Sequence, residues 1–352
     1  MKDQEDTQET VTFAKEITFD ILNSDIKVPP MPSNGSKLMS MAQEPLKNID
    51  ISEFCKLIEP DPGLFSMVLQ LANSPFYRGV DEIVSLRSAI TRIGLQEAIN
   101  SVNLYFLQRF LPNLSELHGF SAKDYWAFSW ACAMAGRRLG HPNLTTNTLP
   151  GELYITGLLH GIGKLILAIH HSREFFMCIE KARTHERPLH TVFLDELGTT
   201  DNMIAAKLMT AWNLPSRICK AVEFYQDPGT APEEYREIAG LTQLAYKIAA
   251  ISQIGSNGDA NLMDLESTWI LGQADSPLAK TEFQQGIVNE ILTTLGEKSE
   301  SITGVSPPGK EPPSRPKTSP NHQPHPAALN NSGSNVPKKG ITGWIKSLFH
   351  SK

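Results

Sequence analysis

Gly151-Glu152-Leu153-Tyr154-Ile155-Thr156-Gly157-Leu158-Leu159-His160-Gly161-Ile162-Gly163-Lys164-Leu165-Ile166-Leu167-Ala168-Ile169 carries large apolar side chains on nearly every side of a helical wheel. Its acidic or basic side chains stand only at Glu152, His160 and Lys164. A helix without a polar face belongs in the middle of a core, surrounded by other helices. The stretch predicts a single helix over 151–169 and an interior large enough to enclose it.

The flanks supply the enclosing helices. Asp50 followed by Glu53 forms a plausible capping pair ahead of Ile51, Phe54, Cys55 and Ile58 on one face. Asp61-Pro62 is an acidic cap with proline at the first helical position, and Leu64, Met67, Val68 and Leu71 then share a side. Ser85 opens a further helix, interrupted near Gly94 and resuming to about Phe110; an aromatic one begins at Tyr125-Trp126 and ends near Gly140. More are expected around 173–184, 200–212, 215–225 and 233–252, and others at 261–271 and 276–296. One is expected before residue 28, with Val11, Ala14, Ile17 and Ile21 in register, ahead of the breaker Val28-Pro29-Pro30-Met31-Pro32. Alternation of period two is nowhere sustained, so the fold class expected is all-α: a compact multi-helix bundle without strands.

The organisation follows from composition. Residues 1–24 read as an acidic lead and helix, 25–298 as the folded body, 299–337 as a linker and 338–352 as a basic tail. Residues 301–340 hold nine of the 24 prolines and almost no large apolar side chains, a composition that cannot offset its ordering entropy, so a disordered linker is expected there. The chain of 352 residues has a net charge of −6. From Ser301 onward seven basic residues face the single acid Glu311, +6, which leaves −12 on the remainder. Such a body repels a phosphate backbone, and nucleic acid is not an expected partner. A helix-turn-helix reading of 62–72 and 85–93 fails on the same charge and on the apolar content of both segments. Cys55, Cys132, Cys178 and Cys219 are far apart, without a C-x-x-C pair, as suits core-packed thiols in a reducing cytosol. No run of 18 apolar residues occurs and the first residues are acidic, so neither a spanning helix nor a signal peptide is expected.

Within the central stretch, L-L-H-G-I-G-K-L at 158–165 resembles the L-L-H-D-I-G-K/R-L heart of the HD superfamily. V-P-P-M-P at 28–32, L-I-E-P-D-P-G-L at 57–64, L-A-N-S-P-F-Y at 71–77 and S-L-R-S-A-I-T-R-I-G-L at 85–95 look like successive landmarks of the HDOD family. A-W-N-L-P at 211–215 and A-V-E-F-Y-Q-D-P at 221–228 complete the order. This resemblance implies an HD-superfamily-like bundle and a role in bacterial signal transduction. HD-superfamily hydrolases grip one or two divalent cations through a first histidine, a His-Asp pair and a later aspartate, and the cation activates a water. Of those four positions this chain keeps His160. Gly161 replaces the paired aspartate, Phe128 falls where the first histidine is expected, and Tyr246 where the distal aspartate is expected. Asn202, Tyr225 and Gln226 likewise stand where histidines are often found. The expectation is therefore no metal, no cofactor and no hydrolysis. A divergent phosphohydrolase with unrecognised ligands, or a nucleotide-sensing module, is the rival reading. His160 and Lys164, four apart, share a helical face and are the candidate anion or ligand pocket; Lys164 could equally snorkel past the helix end or pair with a buried acid. His170-His171 with Glu174 and Glu180 forms the only other cluster that resembles ligands.

The tail carries Lys338, Lys339, Ile341, Trp344, Ile345, Lys346, Leu348 and Phe349. Its apolar members fall at i, i+3, i+4, i+7 and i+8, one helical stripe flanked by lysines. A free helix that short is marginal in water, so the pattern is useful when docked. Burying five such side chains yields roughly 7–15 kcal/mol at most, and ordering some ten residues removes about 10 kcal/mol. Each lysine near an anionic leaflet adds about 1 kcal/mol, so attachment would be reversible. A membrane surface, a partner's groove and the chain's own body all satisfy the stripe. The sequence thus predicts a cytoplasmic, non-catalytic signalling or scaffold protein with protein partners, peripheral contact with the inner face of the membrane being one outcome for the tail.

Overall fold

The computed structural model describes residues 30–77, 79–111, 120–144, 147–260 and 264–305, with the side chains of 281–283 excepted. Among them the chain is helical and contains no strand. The expected N-terminal helix, the linker from 306 and the tail all lie outside the described residues.

Five helices come first in sequence order. Helix α1 (Ser33–Gln43) starts directly after the proline breaker. Asp50 caps α2 (Ile51–Ile58), its carboxylate accepting from the Ser52 amide. Asp61 caps α3 (Pro62–Ala72), accepting from Gly63 and Leu64, with Pro62 at the first position where no amide is needed. Ser85 caps α4 (Leu86–Ile93) through the Ser88 amide. Gly94 breaks the run, and α5 (Leu95–Phe110) resumes it.

The centre is built from α6 (Ala122–Leu139), α7 (Pro150–Leu159) and α13 (Glu233–Ser252). Helices α6 and α7 approach so closely that a Cβ at Gly157 would stand 2.7 Å from Ala133 backbone atoms. Glycine and alanine at that crossing allow a separation that no larger side chain would. Leu153, Tyr154, Ile155, Leu158, Leu159 and Leu167 have no exposed surface, as expected of a helix apolar on all sides. Pro150–His170 is long and apolar enough by composition to cross a membrane, yet 89% of its most apolar 18-residue window is buried inside the fold.

The structure corrects four expectations. Residues 151–169 are two helices rather than one: α7 stops at Leu159, and α8 (Ile162–His170) begins after Gly161. Gly161 leaves the helical basin at φ −103°, ψ 11°, and Lys164 N–H turns back to its carbonyl. A helix over Leu189–Leu197, here α10, was not anticipated. Its stripe (Leu189, Val192, Phe193, Leu197) is short and follows Pro188, so period alone did not separate it from a loop. The final helix, α14 (Thr281–Thr303), passes the boundary expected at 298, and its last turn occupies the first residues assigned to the linker. Between these lie α9 (Ser172–Thr184), α11 (Asp201–Ala211) and α12 (Ser216–Phe224). The helix expected at 261–271 appears, from residue 264, as two short 3-10 turns, Leu265–Ser267 and Trp269–Gly272.

Candidate functional site: the buried centre around His160

His160 sits at the break between α7 and α8 with no exposed surface. Its Nδ1 lies 2.7 Å from the Gly157 carbonyl, which can only accept, so the proton is on Nδ1. Nε2 then offers a lone pair and has no protein hydrogen-bond partner. Burial pushes the imidazole down to about 3, helped by the Lys164 ammonium, so the ring is neutral at physiological pH.

Three aromatic rings surround it. Ring centroids lie 5.9 Å away for Phe128 on α6, 5.6 Å for Tyr225 after α12 and 5.3 Å for Tyr246 on α13. Tyr246 also packs on Phe128 and Tyr225, each at 5.5 Å. Both phenols are occupied: Gln226 donates to the Tyr225 oxygen at 2.8 Å, and Asn257 donates to that of Tyr246 at 2.8 Å. Burial holds both well above the ordinary tyrosine range, so neither is an anionic ligand. The structure therefore assembles Phe128, His160, Gly161 and Tyr246 at one point, and that point contributes one imidazole and no carboxylate. Residues of this kind do not fit a divalent cation, which needs several charged or strongly polar donors. Among the described residues no three His, Cys, Asp or Glu side chains group as metal ligands, the His170–His171 segment included.

Lys164 lies one turn further along, on α8, and is 1% exposed. Its Nζ stands 3.7 Å from Asp201 Oδ2 and 5.9 Å from the centre of the Tyr246 ring. Asp201 is the first residue of α11, where the helix dipole favours a carboxylate, and Thr200 caps that helix through the Met203 amide. Gly163 makes the pairing possible: a Cβ there would meet the Asp201 carbonyl oxygen at 2.0 Å. Asn202 donates to the Glu223 carbonyl at 2.5 Å, tying α11 to α12. His190 on α10 also feels Asp201, Asp259, Asp227 and Lys164; burial is the largest influence and lowers its pKa.

Sequence reasoning placed Phe128, His160, Gly161, Lys164 and Tyr246 together. It raised a buried acid for Lys164 without identifying Asp201. The signal was the Thr200-Asp201 start of α11, read only as a cap, because nothing in the spacing showed that α11 crosses α8. The face shared by His160 and Lys164 is closed, with the lysine charge already matched by Asp201. The docking residues Lys338, Lys339, Ile341, Trp344, Ile345, Lys346, Leu348 and Phe349 lie outside the described residues.

Fold and centre together define an all-helical domain whose interior holds a neutral imidazole in an aromatic cage beside a lysine–aspartate pair. Residues 28–228 match the HDOD domain family, more than half of the chain, and the protein belongs to that family. A Treponema pallidum (strain Nichols) protein, named only as an uncharacterized protein, is 23% identical over 221 residues. That match takes in 62% of this chain and 41% of the relative, so the chain spans about two fifths of the relative's length. Among solved structures, a Geobacter sulfurreducens HDOD domain protein of unknown function is similar with a TM-score of 0.62, 20% identity and coverage of 82% of this chain and 98% of that one. A Shewanella amazonensis SB2B protein named as a phosphohydrolase has a TM-score of 0.61 and 22% identity, covering 81% and 97%. A Marinobacter aquaeolei VT8 protein named as a signal transduction protein has a TM-score of 0.62 and 20% identity, covering 80% and 60%. At these identities the likeness speaks to the fold.

Proposed function

We propose that this chain is a non-catalytic signalling or scaffold protein, in which the HDOD body is an interaction module and the basic tail attaches it to an anionic membrane surface or to a partner's apolar groove. The observation that carries the reading is the centre itself. Water attack on a phosphoester near neutral pH needs a cation to lower the water's pKa and to balance charge in the transition state. Here the His160 imidazole is enclosed by Phe128, Tyr225 and Tyr246, and the nearby Asp201 carboxylate faces Lys164. The same burial closes off the route by which a phosphate ester would reach His160.

The reading is tested on purified full-length protein by elemental analysis and by turnover of a generic phosphodiester such as bis(p-nitrophenyl) phosphate. Only trace metal and no turnover are expected. Iron, manganese or zinc retained at one equivalent, with hydrolysis lost in His160→Ala, would overturn it. The cytoplasmic placement and the membrane contact belong to the same proposal, and fractionation of cells expressing the chain tests them.

A further inference from the structure

The last turn of α14 meets α3 and α5 around a cavity of about 260 Å3, lined by Met67, Gln70, Leu104, Tyr105, Gln108 and Ile302, among others. Gln70 is exposed at its rim, while Tyr105, Gln108 and Ile302 are half-buried. Its lining is mixed: Met67, Leu71, Leu104 and Ile302 are apolar, while Gln70, Gln108 and Ser301 are polar, and the buried Ser101 hydroxyl has no hydrogen-bond partner. Nothing in the centre around His160 uses it.

The position of this groove in the chain suggests its occupant. The described backbone runs on only three residues past Ile302, to Val305, so the rest of the chain starts from the rim of the groove. Residues 306–340 then lead to the stripe at Ile341, Trp344, Ile345, Leu348 and Phe349. Thirty-five residues can reach well beyond the length of α3, about 16 Å. Docking of the tail there would be an event within one chain, favoured over the same contact between two chains. Charge acts in the same direction. Residues from 301 onward carry +6 and the remainder −12, and the exposed Glu300 directly precedes Ser301 of the lining.

We infer that residues 341–349 seat in this groove of their own chain, with Trp344 as the anchor in the cavity between α3, α5 and α14. The tail is then held on the body until an anionic surface competes for the same apolar stripe and lysines. This inference rests on the reading of the tail as a docking element and specifies how that docking is regulated.

The experiment uses the full-length protein carrying a photoreactive benzoylphenylalanine in place of Leu348. Irradiation at low micromolar concentration is expected to give cross-links within one chain, to peptides containing Met67–Gln70 or Leu104–Gln108. They should be lost in Trp344→Glu, weakened in Gln70→Arg, and reduced by vesicles of phosphatidylserine and phosphatidylcholine. Cross-links to residues 1–29, to another face of the body, or between two chains overturn the inference. No cross-link, with vesicle binding retained, also overturns it but leaves the tail's proposed role standing. Loss of both overturns the two together.

Discussion

Lys164 and Asp201 face one another across the α8–α11 contact at 3.7 Å, and both are essentially without solvent exposure. Two opposite charges so enclosed depend on each other, because either alone would be stranded in a medium of low polarity. Lys164→Met or Asp201→Leu is each expected to lower stability by about 3–5 kcal/mol. The double variant Lys164→Met with Asp201→Leu should recover most of that loss. Urea unfolding of the four proteins gives the coupling energy directly, and simple additivity of the two single losses would contradict the buried-pair description.

The neutral state of His160 gives a defined acid sensitivity. Its folded pKa, about 3, lies below the roughly 6.5 of an unfolded histidine. For a depressed pKa the stabilising contribution is complete above the unfolded value and is lost as pH falls toward the folded one. Between about pH 6.5 and 3 the cost is up to about 1.4 kcal/mol per pH unit. The difference in stability between wild type and His160→Leu should therefore shrink as the solution is acidified through that range. A difference independent of pH would show that the imidazole titrates normally.

Two glycines only two residues apart should respond differently. A Cβ at Gly161 meets only the Tyr125 ring at ordinary contact distance, 3.4 Å at the closest, whereas one at Gly163 would collide with the Asp201 carbonyl. Gly161→Ala is expected to change stability by less than about 1 kcal/mol. Gly163→Ala should cost about 3 kcal/mol or more, because two helices must move apart. Gly161→Asp alone should not create metal retention, since Phe128 and Tyr246 still contribute no ligand. Thermal unfolding and elemental analysis check the three variants.

All four cysteines are buried and unpaired. Burial raises the Cys178 thiol to about 12 and displaces Cys55, Cys132 and Cys219 in the same direction. Thiols so placed do not supply thiolate. Native protein should react with Ellman's reagent on the timescale of unfolding, and all four thiols should react at once in guanidinium. A rapid native equivalent would mark one of them as exposed.

Removal of residues 338–352 should abolish co-sedimentation with anionic vesicles and leave the far-UV spectrum of the body intact. Retained sedimentation would move the membrane contact, if one exists, to the body.

The helical class, most helix starts and the central position of 151–169 were legible in the residues alone. Asp50, Asp61 and Ser85 cap the helices they precede, because capping chemistry is local and acts within three or four residues. That Phe128, His160, Gly161 and Tyr246 come together was legible too, through the resemblance of their surrounding motifs. What spacing could not convey is where one helix crosses another. The partner of Lys164 is 37 residues away, and only the packing of α8 on α11 brings Asp201 to it. The break at Gly161 was hidden for a related reason, as its surroundings are apolar on both sides and periodicity carries straight through it. Local sequence determined most of the helical segments and their caps; the tertiary structure decided which charge is neutralised by which, because electrostatic pairing in a dry interior depends on distances that sequence order does not contain.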